Sequence, residues 1–230
     1  MLRSTKRSSY FMPSMICKTL EACSPPQKEN RMKILLIGAS GTIGRAVHAL
    51  LAPRHDIVTV GRNSGDLRAD FTQPETLQKM FEAAGQVDAI VSTAGKLHFG
   101  PLSEMTAEQF NSGLQDKLLG QVRLALLGQR WLRDGGSITL TSGVAATEPI
   151  RHGANASTVN AALHGFVTGA AVELQRGLRI NAVSPTLLTE SADAYGSVFP
   201  GFETVPAARV ALAYQRSVEG AQTGRVFEVL

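Results

Sequence analysis

Lys33-Ile-Leu-Leu-Ile-Gly-Ala-Ser-Gly-Thr-Ile-Gly44 decides the fold. Lys33 to Ile37 form a short, almost wholly apolar run that stops at Gly38, which reads as a strand buried on both faces. From Thr42 onward, Ile43, Val47, Leu50 and Leu51 recur at helical spacing until Pro53 ends the run. Between them lies a loop carrying Gly38, Gly41 and Gly44 around Ala39, Ser40, Thr42 and Ile43. Such glycines let the backbone turn sharply and approach a diphosphate, while the helix that follows offers free N–H groups and the positive end of its dipole. A glycine cluster alone also describes many tight turns. Its position between a first strand and a first helix is what points to a dinucleotide.

The same alternation continues outward. Strands are expected at 56–60, 67–69, 87–92, 137–141, 178–183 and 225–229, and helices at 74–84, 107–117, 120–132, 157–174 and 206–216. Strands separated by helices predict an α/β fold over residues 32–230. The expected form is a single doubly wound Rossmann-type domain, with six or seven parallel strands and helices on both faces. Residues 1–31 show no sustained periodicity and are expected to form a disordered N-terminal extension. A targeting segment, or a start placed upstream of the true one at Met32, are the other readings.

The chain has 230 residues, 43% of them hydrophobic and 18% charged, which argues against a disordered chain. No apolar run approaches the roughly 18–20 residues that cross a bilayer, so no membrane association is expected. The net charge of +4 is carried by residues 1–31; the remainder balances seventeen basic against seventeen acidic side chains. A nucleic-acid partner is therefore not expected. Both cysteines, Cys17 and Cys23, also lie in the extension, so no disulfide supports the fold and a reducing, cytoplasmic compartment is the expectation. The five histidines show no metal-ligand spacing, and no metal site is predicted.

About twenty residues past the glycine loop comes Gly61-Arg62-Asn63-Ser64. A site selecting NAD usually places a carboxylate here to hold the ribose 2′-OH. The planar cation of Arg62 suits a 2′-phosphate instead, which points to NADP(H). A solvated loop arginine is the plainer alternative.

These segments resemble the short-chain dehydrogenase/reductase family over residues 32–230. Gly38 and Gly44 match the outer glycines of its loop, while the middle one falls at Thr42 and Gly41 precedes it. Asp70-Phe71 resembles the position that holds the adenine, and Ser92-Thr93-Ala94-Gly95 resembles the Asn-Asn-Ala-Gly segment. Arg179-Ile-Asn-Ala-Val-Ser-Pro185 resembles the sixth strand, with Thr186 where the family has glycine. The resemblance implies a nicotinamide cofactor held by Gly38, Ser40, Gly41, Thr42, Ile43, Gly44, Arg62, Asn63, Ser64, Asp70, Phe71, Ala94, Gly95, Asn160, Pro185 and Thr186. It also implies carbonyl/alcohol redox chemistry on a small-molecule substrate and assembly as a dimer or tetramer.

The catalytic positions depart from that pattern. The family uses Ser, then Tyr, then Lys four residues after the Tyr; alignment puts Gly143, Ala156 and Asn160 there. Tyr10, Tyr195 and Tyr214 are followed at four residues by Ser14, Phe199 and Val218, and no lysine occurs after Lys117. Lys117 falls where the family has a helix asparagine. Three groups remain as candidates: Ser142 to polarise a carbonyl, Asn160 to hold ribose hydroxyls, and Tyr195 as a donor from the loop after the sixth strand. Each also has a structural reading, as a strand-end hydroxyl, a packing amide or a loop contact. His98 and His152, in expected loops, read as solvent-facing or satisfied histidines, and His164, one turn beyond Asn160, as a helix-surface residue. The expected function is an NADP(H)-dependent oxidoreductase with a non-standard proton donor. A catalytically inactive NADP(H) sensor and a non-redox enzyme are the alternatives.

Overall fold

A computed structural model describes residues 31–230. The reading of the N-terminal extension, with its two cysteines, lies outside them. Seven parallel strands form one sheet in the order β3-β2-β1-β4-β5-β6-β7. They are β1 (Lys33–Ile37), β2 (Asp56–Gly61), β3 (Leu67–Arg68), β4 (Val87–Ser92), β5 (Leu132–Thr141), β6 (Arg179–Pro185) and β7 (Val226–Val229). Helices α1 (Thr42–Leu51) and α7 (Ala207–Glu219) cover one face. Helices α2 (Pro74–Ala84), α3 (Ala107–Gly113), α4 (Gly120–Gly128) and α5 (Ala154–Glu173) complete the larger elements, and α6 (Ala192–Tyr195) is a single turn.

β1 shows why its sequence lacks alternation. Ile34 and Leu36 pack with Val47, Leu51 and Tyr214, whereas Leu35 and Ile37 pack with Phe81, Leu124 and Val159. Successive side chains point to opposite faces, and here both faces are covered. The expected doubly wound fold is therefore the observed one.

Three boundaries differ from the sequence reading. The helices expected at 107–117 and 120–132 are one continuous helical run from Ala107 to Gly128. Its middle, Leu114–Leu119, is π-helical. The expected break fell just before Gly120, yet Gly120, like Gly113 inside the first segment, is there for close approach. A methyl group on Gly113 would lie 2.1 Å from Asn155 Oδ1, and one on Gly120 would lie 2.0 Å from the Phe71 ring. β5 starts at Leu132, five residues early, because its first half pairs with β4 through Val87 and Leu132. α5 starts at Ala154 rather than Ser157.

Strand order reverses between β1 and β4, so a crevice opens at their C-terminal ends. Thr93 closes its floor: its amide donates to Ile37 O at 2.8 Å and its hydroxyl to Ile37 O and Gly38 O. Among the described residues, no helix is long and apolar enough to cross a membrane.

Candidate active site

The crevice holds two cavities that meet at Thr93, Ala94 and Gly95, which line both. The outer cavity, about 330 Å³, is lined by Gly38, Ser40, Gly41, Arg62, Asn63 and Phe71 among others. Gly38 turns the chain with φ +84°, a backbone region that glycine enters without a steric penalty. Helix α1 begins beside it with no side-chain cap and no acidic residue in its first turn. Its first N–H groups therefore lack a protein anion, which is the electrostatic condition for binding a phosphate.

Arg62 spans this cavity. Its Nε lies 3.1 Å from Asp70 Oδ2 and its Nη2 lies 3.5 Å from Asp116 Oδ2. Burial pushes the Asp70 carboxyl up, but bonds from the Thr72 hydroxyl and amide, aided by the Arg62 guanidinium, outweigh it and hold the group below its usual value. Asp70 does not line the cavity; it orients the arginine that does. Thr42 and Gly44 sit in the first turn of α1 and do not line it. Ser64 lies in a separate recess with Ala39, Ser40 and Arg45.

The inner cavity, about 320 Å³, is walled by Ile43, Gly143, Ala156, Pro185 and Thr186, with an apolar side of Leu97, Phe99, Val144, Leu187, Leu188 and Phe199. Asn160, from α5, is part of its wall, and its Oδ1 is buried without a hydrogen-bond partner. An unsatisfied buried acceptor costs about 1–3 kcal/mol, and a ligand hydroxyl or amide that reached it would recover this.

Lys117 also lines the inner cavity, from the π-helical segment, and sequence reasoning did not nominate it. It is 7% exposed, and its Nζ donates to Ser142 O at 2.9 Å. Burial pushes its ammonium down to about 8. The stem lies across Gly95, where a methyl group would sit 2.5 Å from Lys117 Cγ. Gly95 (φ +143°) is thus needed both for its backbone conformation and for the lysine above it. Buried Gln121 braces the turn, its Nε2 donating to Lys117 O and Thr141 O.

The other candidates separate. The Ser142 hydroxyl donates to Asn160 O at 3.1 Å and pairs with His164 Nε2 at 2.8 Å, so it is tied to α5. His164 is accordingly half-buried rather than on the helix surface, and burial holds its imidazole below the usual value, a shift that Lys117 reinforces and Glu228 opposes. Tyr195 stands at the rim, 47% exposed, with its ring 6.2 Å from that of Phe99. His98 and His152 line neither cavity. A lone lysine at a helix position carries no local motif. The signal that could have found it is the pairing of Lys117 with Asn160, which stand where the resemblance has an asparagine and a lysine.

A switch-point crevice with a glycine turn and an uncapped helix defines a dinucleotide-binding α/β protein. Residues 38–227 match the family described as Enoyl-(Acyl carrier protein) reductase. The chain belongs to the short-chain dehydrogenase/reductase family, whose members use a nicotinamide cofactor. It is 29% identical over 176 residues to the hydroxynaphthalene reductase-like protein Arp2 of Metarhizium brunneum, a match covering 66% of each chain. It is 27% identical over 176 residues to the versicolorin reductase stcU of Emericella nidulans, covering 66% of this chain and 67% of that one. Among solved structures, the protein lin1944 from Listeria innocua is 49% identical, with TM-score 0.85, over 86% of this chain and 100% of that one. A small-chain dehydrogenase in complex with NADPH is 26% identical, with TM-score 0.77, over 87% of this chain and 97% of that one.

Proposed function

We propose that this chain is an NADP(H)-dependent oxidoreductase acting on a small, uncharged, apolar or aromatic carbonyl or the matching alcohol. The observation that carries the reading is the pair of contiguous cavities, with Arg62 across the outer one and Asn160, its acceptor unpaired, in the wall of the inner one. The fit to a dinucleotide is good at both ends. Gly38, Ser40 and Gly41 would cradle the pyrophosphate, Arg62 and Asn63 the 2′-phosphate, and Phe71 the adenine. Ala94 and Gly95 would line the ribose path, with Asn160, Pro185 and Thr186 at the nicotinamide end. A bound reduced nicotinamide would supply hydride at the inner cavity. The apolar side of that cavity offers no cation or carboxylate to a charged substrate other than Lys117 itself. The names of the two fungal reductases and the NADPH held by the dehydrogenase neighbour agree with this reading.

Arg62→Ala tests the cofactor. Loss of a charge-assisted contact to phosphate is worth about 1.5–3 kcal/mol, or roughly 10- to 100-fold in affinity. NADPH fluorescence titration should show that weakening, with NADH affinity changed less than threefold. Equal losses for the two would refute the 2′-phosphate assignment.

The chain is also read as a homo-oligomer through α4 and α5, where Leu126 is 54% and Val172 is 85% exposed beside a recess lined by Gly165 and Gly169. Light scattering of purified protein should return a multiple of the 24.5 kDa chain mass. A monomer at micromolar concentration would overturn this.

A further inference from the structure

We propose that Lys117 is the catalytic acid of this site, giving its Nζ proton to the substrate oxygen as the carbonyl is reduced. The inference rests on the oxidoreductase reading above and names the donor that reading lacks.

Carbonyl reduction leaves a negative oxygen that must be neutralised inside the cavity. Of the side chains lining that cavity, two titrate: Lys117 and Tyr195. Their placements differ. Tyr195 is at the rim, half exposed against Phe99, whereas Lys117 lies in the wall between Gly95 and Ser142. The nearby hydroxyls are engaged elsewhere. Thr141 bonds Ser92 O and the Tyr214 hydroxyl, and Ser142 bonds α5.

The surroundings of Lys117 favour giving up a proton. Among the described residues its ammonium has one hydrogen-bond partner, the Ser142 carbonyl, and no carboxylate within salt-bridge distance. Asp116, next in the chain, is turned to Arg62 and accepts from the Lys96 amide. His164, facing from α5, is held below the usual imidazole value by burial, with Glu228 opposing the shift and Lys117 adding to it. Tyr214, on α7 behind Thr141, is buried and pushed well above its ordinary value, so it stays protonated. A buried cation with no counter-ion is costly as a structural device, yet it suits a group that must meet an anion formed only during reaction.

The step balances. Hydride from the reduced nicotinamide forms the new C–H bond. The carbonyl π pair moves onto oxygen, and that oxygen takes a proton from the Lys117 ammonium as the N–H bond breaks. The neutral amine, which burial favours, regains a proton from water. The net reaction consumes one carbonyl, one NADPH and one proton.

The test uses the full chain, NADPH, and 1-phenyl-1,2-propanedione, acetophenone and camphorquinone as carbonyl probes. Lys117→Met should lower kcat by about 100- to 10,000-fold, the usual worth of a positioned acid. Its NADPH affinity, read by fluorescence, should stay within threefold. Wild-type kcat should fall as pH rises through about 8, where this ammonium loses its proton. That limb should persist in Tyr195→Phe and be absent below pH 10 in Lys117→Arg. Independently of turnover, an NMR titration of 15N-lysine protein should show a resonance titrating near 8 that disappears in Lys117→Met. Unchanged kcat and pH profile in Lys117→Met, loss of the limb in Tyr195→Phe, or titration of Lys117 at its ordinary value would each overturn the proposal. NADPH oxidation by the wild-type protein with none of the probes would instead overturn the oxidoreductase reading, and the donor with it.

Discussion

Gly44→Ala is expected to abolish dinucleotide binding and to destabilise the fold by about 3 kcal/mol or more. The added methyl group would lie 2.1 Å from Gly38 O and 2.8 Å from Ala39 Cα. Both are backbone atoms, so no side chain can swing aside to make room. Gly38 O is also held in place, accepting from the Gly41 amide at 3.0 Å and the Thr93 hydroxyl at 3.1 Å. Relieving the clash breaks these bonds or lifts α1 off the loop, and overpacking of this kind typically costs 1–3 kcal/mol, occasionally more. Gly41→Ala is the control. Its methyl group meets nothing closer than 3.4 Å, so the fold should keep its stability. Urea melts and NADPH fluorescence on both variants check the prediction. A Gly44→Ala protein as stable as the parent, with NADPH affinity intact, would show that the loop does not form the tight turn described.

Lys117→Met is expected to stabilise the protein near neutral pH. Burial lowers this lysine from 10.5 to about 8 in the folded state. At 1.36 kcal/mol per pKa unit, holding the charge inside costs about 3 kcal/mol. The penalty is present in full below pH 8, where folded and unfolded chains both carry the proton. Between pH 8 and 10.5 the unfolded chain binds more protons than the folded one, so wild-type stability rises with pH and the penalty fades. Methionine removes the charge at all pH values but leaves Ser142 O without its donor, a loss of about 1 kcal/mol. The net gain is about 2 kcal/mol below pH 8 and should vanish, or change sign, toward pH 10.5. Chemical denaturation of the two proteins at pH 6, 7 and 10 measures it. A Lys117→Met protein less stable than the parent at pH 6 would mean that the ammonium is paired or solvated better than its surroundings indicate. A more stable and less active variant is the usual mark of a functional group kept at the expense of the fold.

Most of the architecture could be read residue by residue. Lys33 to Ile37, the glycine turn and the helical spacing from Thr42 to Leu51 act within a few residues of one another, and local periodicity reports them directly. The two-faced burial of β1 explains an apolar run without alternation. The reading failed where a residue's reason lay in a distant partner. Gly120 looks like the start of a separate helix in the sequence, but it admits the Phe71 ring to a continuous one, as Gly113 admits Asn155. Leu132 joins β5 because Val87 lies beside it.

By itself the sequence determined the doubly wound sheet, the glycine turn between β1 and α1 and the absence of a Tyr-x-x-x-Lys pair. Those features depend on local backbone preference and on burial patterns with short periods. Only the tertiary structure decided which side chains share the inner cavity. It brings Lys117 from a π-helical turn to the carbonyl of Ser142, twenty-five residues away, and ties the Ser142 hydroxyl to His164 on α5. Such a meeting depends on how helices pack across the sheet edge, and that packing leaves no trace in the spacing of a single lysine.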